Sequence, residues 1–166
     1  MNFEKIYKTH YHEMRKFAFR LNVVETEKDD LIQDVFVKLY YEFQNKTKID
    51  NPRAWLYKAM LNKSRSNHKT IKLHLEKNKD IFVSNINFRD LNDEIEHKEK
   101  RKIVLQTINQ MSDKDKEILL LYYDGFSYAE IAEIAEINFN SIGTTLVRAI
   151  QKIKNTLKLQ YNEMFE

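Results

Sequence analysis

The chain has 166 residues, of which only 2 are Gly and 1 is Pro, while 32% are Asp, Glu, Lys or Arg. Because the turns that join strands favour Gly and Pro, this composition argues against a sheet-rich fold and predicts an all-α protein. Cys is absent, which excludes disulfides and thiolate metal sites and suits a reducing compartment. The charged N-terminus lacks a signal-peptide core and the longest apolar run is too short to cross a bilayer, so we expect a cytoplasmic protein that is not embedded in a membrane.

The net charge is only +3, but the charges are unevenly distributed. Residues 53–79 carry eight Lys or Arg against one Glu, and residues 138–160 carry four Lys or Arg and no acid. Residues 25–34 and 111–137 are acidic instead. Two basic segments, one in each half of the chain, favour contact with a polyanion at two places, although either segment alone is also typical of a solvated helix face.

The first half of the chain predicts three helices, because its apolar residues recur at helical spacing. The first helix is expected over residues 3–21, and the second begins at a cap formed by Thr26. The polar residues 44–50 predict a loop. Pro52 suits the first turn of a third helix, which is expected to reach about His68.

The periodicity weakens between residues 70 and 92, where charged residues, Asn and scattered apolar residues mix. We interpret this segment as a linker. The chain is therefore expected to form two small helical domains, a helical bundle over residues 1–69 and a second domain over residues 93–166.

The second half of the chain predicts four more helices with recognisable start signals. One helix covers residues 95–111, and the next three follow a Ser112 cap, a capping box of Ser127 and Glu130, and an Asn138 cap. We expect one buried stripe to include Ile118, Leu119, Leu121 and Tyr122, and another to include Ile142, Leu146, Ala149, Ile150, Ile153 and Leu157.

The segment 127–154 is typical of a helix-turn-helix, in which the second helix enters a DNA major groove. With its apolar residues inward, the last helix turns mostly short polar side chains outward, namely Asn140, Ser141, Thr144, Thr145, Arg148 and Gln151. Such side chains can reach base edges, and free N–H groups at a helix start attract phosphate. Gly143 is a poor helix former that would let the helix approach DNA closely. Helix-turn-helix geometry also occurs in bundles without DNA, but the capping, the turn spacing and the basic end favour DNA binding.

Aromatic and basic residues alternate in the first half of the chain. Trp55 and Tyr57 lie among the basic residues of segment 53–79, and Tyr40 and Tyr41 precede them. This combination suits single-stranded nucleic acid, whose unpaired bases stack on aromatic rings. Burial in the core is the alternative for Trp55 and Tyr57. The acidic segment 25–34 is better suited to a basic protein surface than to DNA.

Three segments resemble bacterial sigma factors of the sigma-70 family. DDLIQDVFVKLY (29–40) resembles their polymerase-binding helix, and NPRAWLYKAMLNKSR (51–65) is similar to their promoter-melting helix that reads the minus-ten element. Residues 111–154 resemble region four, which reads the minus-thirty-five element. Their order and spacing resemble the extracytoplasmic-function (ECF) group, which keeps only regions two and four. The resemblance implies a transcription initiation factor that binds core RNA polymerase and directs it to promoters by sequence-specific DNA binding and promoter melting.

The resemblance also implies partners and residue roles. The partners are the core polymerase (the clamp helices of its largest subunit and the flap of its second-largest subunit), promoter DNA and an anti-sigma factor. The residues implied to contact polymerase are Asp30, Gln33, Asp34 and Lys38. Those implied to contact DNA in the minus-ten region are Asn45, Lys46, Lys48, Trp55, Lys58, Asn62, Lys63 and Arg65. Those implied in the recognition helix are Asn140, Ser141, Thr144, Thr145, Arg148 and Lys152.

Several positions depart from the family pattern. Family members often have Lys or Arg where this chain has Gly143 and Thr145, and Gly where Glu136 stands in the turn. An Asp that follows an Asn in region two of the family is replaced near Ser66. These departures bear on individual base contacts.

The sequence offers no pattern typical of an enzyme. His10 and His12 are two residues apart and therefore point to different faces of a helix, which does not suit a metal pair. With so few Gly residues there is no phosphate-binding loop, and no Ser-His-acid or Cys-His group is evident. We expect a non-enzyme with no metal and no cofactor.

Two other functions remain open from the residues alone. One is a dimeric helix-turn-helix repressor or activator that binds a palindromic duplex without docking on core polymerase. The other is a helical adaptor that binds only protein, whose binding would lack the steep salt dependence of phosphate contacts.

Overall fold

The structure, a computed structural model, describes residues 2–21, 23, 25–77 and 95–165, with side chains described except at 25, 67–77, 95–101 and 160–165. Every regular element in these ranges is helical, which confirms the all-α fold class. The chain divides into two compact units, Met1–Asn85 and Ile86–Glu166. The first unit contains α1 (Phe3–Arg20), α2 (Glu25–Gln44) and α3 (Pro52–Lys77). The second contains α4 (Ile95–Asn109), α5 (Asp113–Tyr123), α6 (Tyr128–Ala135), a 3₁₀ turn (Phe139–Ser141) and α7 (Ile142–Phe165).

The helix ends of the first unit follow local chemistry, with one exception. Asn51 Oδ1 accepts a hydrogen bond from the Ala54 N–H at 3.0 Å, so Asn51 and Pro52 together start α3 as expected. The prediction of a Thr26 cap was wrong, because α2 already begins at Glu25 and Thr26 lies inside its first turn.

The third helix is longer than its apolar pattern predicted. It continues past His68 to Lys77, through residues that contain neither Gly nor Pro to stop it. Residues 78–92 of the predicted linker lie outside the described residues, so the linker bounds of 70 and 92 stay a prediction.

The first unit packs its three helices around large apolar side chains. Those with less than 2% exposure include Met14 and Phe17 from α1, Leu39 from α2 and Met60 from α3. The Tyr57 ring is also fully buried, and its centroid lies 4.4 Å from that of Phe17. Tyr57 is therefore a core residue, which removes it from the candidates for base stacking.

A charged network ties α1 to the start of α3. Glu13 Oε1 accepts hydrogen bonds from Arg53 Nε at 2.8 Å, from a terminal Arg53 nitrogen at 2.6 Å and from the Tyr57 hydroxyl at 3.1 Å. His10 Nδ1 lies 3.1 Å from Glu13 Oε2. Burial raises the pKa of the Glu13 carboxyl, but the hydrogen bonds from Arg53, His10 and Tyr57 outweigh it, so the net effect is a lowered pKa. The ionised Glu13 carboxylate therefore links α1 to the first turns of α3.

Replacing Glu13 by Gln is expected to destabilise the first unit by about 1–2 kcal/mol at pH 7, because hydrogen bonds to a charged group are lost. A carboxyl whose pKa is lowered by folding stabilises the fold above its unfolded pKa, and this contribution disappears as the pH falls through the folded value. The difference between Glu13→Gln and the unmodified chain should therefore shrink below about pH 4. Denaturant unfolding followed by fluorescence of Trp55, the single Trp of the chain, measures it.

Glu4→Gln is the matched control for this prediction. Glu4 also lies on α1 and pairs with Lys8 at 2.6 Å, but both side chains are largely exposed. An exposed pair contributes little, so this variant should stay within about 0.5 kcal/mol of the unmodified chain. Equal losses in the two variants, or a Glu13→Gln deficit that persists at low pH, would contradict the proposed role of the network.

The second unit begins its helices at the predicted caps. Ser112 Oγ accepts from the Asp115 N–H at 3.2 Å and starts α5. At α6, Glu130 N–H donates to Ser127 Oγ at 3.3 Å while Ser127 N–H donates to Glu130 Oε2 at 2.9 Å, which confirms the capping box. Asn138 caps the 3₁₀ turn that leads into α7. These caps fix where each helix of the helix-turn-helix begins.

The core of the second unit forms where α5, α6 and α7 meet. Ile118, Leu121, Ile131 and Ile142 are each fully buried there. Lys116 is buried as well, and its Nζ donates to Asn109 Oδ1 at 3.0 Å, which links the first turn of α5 to the end of α4. Burial lowers the Lys116 pKa to about 8, although the negative charges of Asp113 and Glu117 oppose this change.

Candidate nucleic-acid interface

The predicted polymerase-binding residues share the outward face of α2. Asp30, Gln33, Asp34 and Lys38 are all exposed, while Leu31, Val35 and Leu39 between them are buried. Two apolar side chains, Val37 and Tyr41, are exposed on the same face. We name this surface the α2 face: Asp30, Gln33, Asp34, Val37, Lys38 and Tyr41. Its mixed acidic and apolar character suits contact with a protein.

Two contacts join the α2 face to α3. Asp34 Oδ2 lies 2.9 Å from Lys63 Nζ, and the two side chains are 59% and 45% exposed, respectively. Lys38 Nζ lies 5.9 Å from the centroid of the Trp55 ring, in cation–π geometry. Residues that the sequence analysis gave to polymerase therefore lie beside residues that it gave to DNA, and the two predicted sites share an edge.

The predicted DNA-binding residues of α3 form one stripe. Trp55, Lys58 and Asn62 follow each other at spacings of three and four, and none is fully buried. Arg65 extends the stripe, and one of its terminal nitrogens donates to Asn62 Oδ1 at 3.3 Å. Lys63 lies at its border, where it meets Asp34. The stripe combines one large aromatic ring with three cations, which is the combination that binds unpaired nucleotides.

The loop between α2 and α3 carries the remaining residues predicted for the minus-ten region. Asn45, Lys46 and Lys48 are exposed there, and Lys48 Nζ lies 3.2 Å from Asp50 Oδ1. Lys46 lies just after the end of α2 in a left-handed conformation with φ of 56°. The Thr47 N–H donates a hydrogen bond to the Glu42 carbonyl oxygen at 3.0 Å. This hydrogen bond closes the helix end in the way that a C-terminal Gly usually does, so the start of the loop is held in place.

In the turn of the helix-turn-helix, a left-handed residue and a backbone hydrogen bond close the helix end in the same way. Glu136 ends α6 in a left-handed conformation with φ of 59°, and the Ile137 N–H donates to the Ala132 carbonyl at 3.1 Å. Gly would adopt this positive φ without steric cost, whereas Glu136 adopts it at some cost. The backbone of the turn is therefore formed despite the departure at Glu136.

The recognition helix α7 and the 3₁₀ turn before it expose most, but not all, of the residues predicted to meet DNA. Asn140, Thr144, Arg148 and Lys152 are exposed, and Ser141 is half-buried. Thr145, in contrast, was wrongly expected to face outward, because it is 2% exposed and lies among the core residues of α7. Thr145 lies three residues after Ile142 and four before Ala149, which are both buried, so helical spacing puts it on the inward side and removes it from the predicted DNA contacts.

Two expected core residues are instead exposed. Tyr122 was predicted to be buried on α5 but is 47% exposed, and its ring lies against Tyr128 with centroids 6.1 Å apart. Ile150 on α7 is at the surface as well. Both residues lie at the edges of the apolar stripes of their helices.

Arg148 and Lys152 of α7 contact neighbouring polar groups. A terminal nitrogen of Arg148 lies 3.3 Å from Thr145 Oγ1 and 3.9 Å from Asp115 Oδ1. Lys152 Nζ lies 3.4 Å from the Gln110 carbonyl oxygen at the end of α4. Thr145 is thus a support for Arg148 rather than a contact residue. Sequence reasoning missed this role and also missed Val147, which is exposed on α7 between Thr144 and Arg148.

Gly143 lies on α7 opposite the Tyr128 ring. A Cβ at this position would lie 3.7 Å from Tyr128 Cε2, which is an ordinary contact distance. Gly143→Ala is therefore expected to raise the stability of the second unit by about 1 kcal/mol, because Ala favours the helix more than Gly does. If the small residue serves close approach to DNA, the same variant should bind duplex less tightly. Thermal unfolding by circular dichroism and a duplex-binding titration give the two measurements.

Gly125→Ala serves as the opposite control. Gly125 has φ of 84°, and nothing lies within 4 Å of an added Cβ, so the substitution is strained by its backbone alone. It should lower the stability by about 1 kcal/mol and leave duplex binding unchanged. A Gly143→Ala variant that is more stable and binds duplex equally well would contradict the close-approach interpretation.

Two kinds of feature are absent from the described residues. No helix in that part of the chain is both long and apolar enough to span a membrane. No group of three or more His, Asp or Glu side chains there is arranged to hold a metal ion.

Profiles of known families match both units. The family described as Sigma-70 region 2 matches residues 6–71, and the family described as Sigma-70, region 4 matches residues 101–153. The RNA polymerase sigma factor YlaC of Bacillus subtilis is 28% identical over 164 residues, which cover 93% of this chain and 91% of that protein. The ECF RNA polymerase sigma-E factor of Haemophilus influenzae is 26% identical over 140 residues, which cover 78% of this chain and 74% of that protein.

Solved structures share the fold. The sigma factor RpoE from Bartonella quintana, in complex with the anti-sigma factor NepR, superposes with a TM-score of 0.80 at 21% identity, over 94% of this chain and 96% of that one. CnrH, in complex with the cytosolic domain of CnrY, superposes with a TM-score of 0.67 at 22% identity, over 95% and 88% of the two chains. With a region 2 match on the first unit and a region 4 match on the second, this chain belongs to the sigma-70 family of RNA polymerase sigma factors, in the extracytoplasmic-function group.

Proposed function

We propose that this transcription initiation factor docks on core RNA polymerase through the α2 face, binds the upstream promoter element through α7, and opens the duplex through the 45–50 loop and the α3 stripe. The observation that carries the proposal is the arrangement on α2 and α3, where a face suited to protein borders a stripe suited to unpaired bases. Catalysis of RNA synthesis belongs to the polymerase.

The docking step is supported by the character of the α2 face. Asp30 and Asp34 present two carboxylates, and Val37 and Tyr41 add apolar contact area beside them. A partner with basic and apolar side chains on one surface, such as the clamp helices of the largest polymerase subunit, would complement this face. The flap of the second-largest subunit is proposed as a further contact of the second unit.

The melting step is supported by the α3 stripe. Trp55 is partly exposed beside Lys58, so an unpaired base could stack on the ring while the cation meets the backbone phosphate. Trapping a base outside the duplex offsets the few kcal/mol that unstacking costs. We propose that Asn45, Lys46 and Lys48 of the loop hold such a base.

The upstream contact is supported by the exposed polar residues of α7. Asn140 and Ser141 lie in the 3₁₀ turn directly before α7, and Thr144 and Arg148 follow on the exposed side of the helix. We further propose that an anti-sigma protein controls the factor, since the two solved relatives are described in complexes, one of them with an anti-sigma factor. We place the two functional domains at residues 1–69 and 93–166, with a linker over 70–92.

Transcription in vitro tests the proposal. Purified chain and core RNA polymerase are combined on a library of promoter fragments, and the 5′ ends of the transcripts are mapped. We expect defined start sites that core polymerase alone does not give. Transcripts without defined starts would contradict the proposal, and a dimer that protects a palindromic duplex without polymerase would favour the regulator instead.

A further inference from the structure

Val147 occupies an unusual place on the recognition helix. Successive residues of a helix are about 100° apart, so the direction opposite the buried Ile142 and Ala149 is centred near Gln151. Val147 lies within about 40° of that centre, nearer to it than Arg148 does. Its side chain is 69% exposed. An apolar, β-branched residue therefore projects from the middle of the surface that is proposed to enter the major groove.

Exposure alone does not indicate a function, because single apolar residues are common on protein surfaces. The neighbours of Val147 indicate what its side chain could contact. Thr144 lies one turn before it and Gln151 one turn after it, and both are exposed. In the major groove, polar side chains read the hydrogen-bonding edges of bases, whereas an apolar side chain contacts the C5-methyl group of thymine. Val147 is the apolar member of a set that is otherwise polar.

We propose that Val147 contacts the C5-methyl group of a thymine in the upstream promoter element and so determines specificity at that base pair. The proposal rests on the proposed function of α7. Thr144 and Val147 are about 4.5 Å apart along the helix axis, slightly more than one step of about 3.4 Å between base pairs. The two residues therefore address neighbouring base pairs, and the Thr144 hydroxyl and the Val147 methyls read different chemical groups.

Deoxyuridine provides a test, because it differs from thymidine only by the missing C5-methyl group. An upstream element is first selected from a randomised duplex pool by the chain bound to core polymerase. Each thymine of the selected element is then replaced singly by deoxyuridine. We expect one position at which the replacement weakens binding about fourfold, the effect of removing one methyl-sized contact.

The matched variants are Val147→Ala and Leu159→Ala. Val147→Ala should bind the thymine duplex as weakly as the unmodified chain binds the deoxyuridine duplex, and should show no further loss with deoxyuridine. Leu159 is also an exposed apolar residue of α7, but it lies three turns further along, so its variant should keep the full difference between thymine and deoxyuridine.

The outcomes separate this inference from the proposed function. If transcripts start at defined positions but no deoxyuridine effect depends on Val147, the inference is overturned and the proposed function stands. If no duplex is selected and no defined start appears, both are overturned. Because Val147 is exposed and Ala is a strong helix former, Val147→Ala should fold, and its thermal unfolding checks this.

Discussion

Asp34→Lys is expected to weaken binding to core RNA polymerase by about tenfold or more, since placing like charges together at an interface costs several kcal/mol. Asp34 lies in the middle of the α2 face with a largely exposed side chain, so the substitution should leave the fold intact. Competition for core polymerase against the unmodified, fluorescently labelled chain measures the change. Unchanged helicity and an unchanged unfolding midpoint of the variant are the checks on folding.

The ion pair with Lys63 makes a sharper control possible. In the double variant Asp34→Lys with Lys63→Asp the two charges exchange places and the pair can form again. If Asp34 contacts the polymerase directly, the double variant should bind core enzyme as weakly as Asp34→Lys alone. Restored binding would show instead that the pair acts by holding α2 against α3, and would remove Asp34 from the polymerase contacts.

The features that the sequence predicted well depend on short-range chemistry. Ser112, Ser127 and Asn138 begin their helices where expected, because a cap needs only a side-chain oxygen and the N–H groups two or three residues on. On α2 the buried residues Ile32, Val35, Phe36 and Leu39 recur at helical spacing, so local periodicity is enough to assign them to the core. The family resemblance rested on the same local segments, and the matches to regions 2 and 4 confirm it.

The features that were missed depend on contacts between distant residues. Glu13 and Tyr57 are 44 positions apart, so nothing in the local sequence pattern shows that the Tyr57 hydroxyl donates a hydrogen bond to a carboxylate of α1. Thr145 was misplaced because its polarity suggested exposure, whereas its hydroxyl turns toward Arg148 and the rest of the side chain is buried. The end of α3 was set too early because loss of apolar periodicity is a weaker stop signal than Gly or Pro.

Arg148→Ala is the second variant expected to have a large effect, and it addresses the upstream contact. We expect affinity for the selected upstream duplex to fall by about 1–3 kcal/mol, which corresponds to about 5- to 150-fold, as for loss of a base-reading Arg. The loss should be concentrated at one base pair, so that discrimination among the four bases disappears there. Holoenzyme binding to duplexes substituted at each position measures both quantities. A uniform loss across all sequences with a shallower salt dependence would identify a phosphate contact instead.

Thr145→Val separates the contact made by Arg148 from the way in which Arg148 is held. The substitution keeps the buried volume but removes the hydroxyl that lies 3.3 Å from the guanidinium. If that hydroxyl orients Arg148 before DNA arrives, Thr145→Val should weaken duplex binding in the same sequence-dependent way but by less than Arg148→Ala. In the double variant Thr145→Val should add nothing, because the group that it positions is already absent. Additive losses would mean that the two side chains act independently, and the assignment of Thr145 as a support for Arg148 would then be wrong.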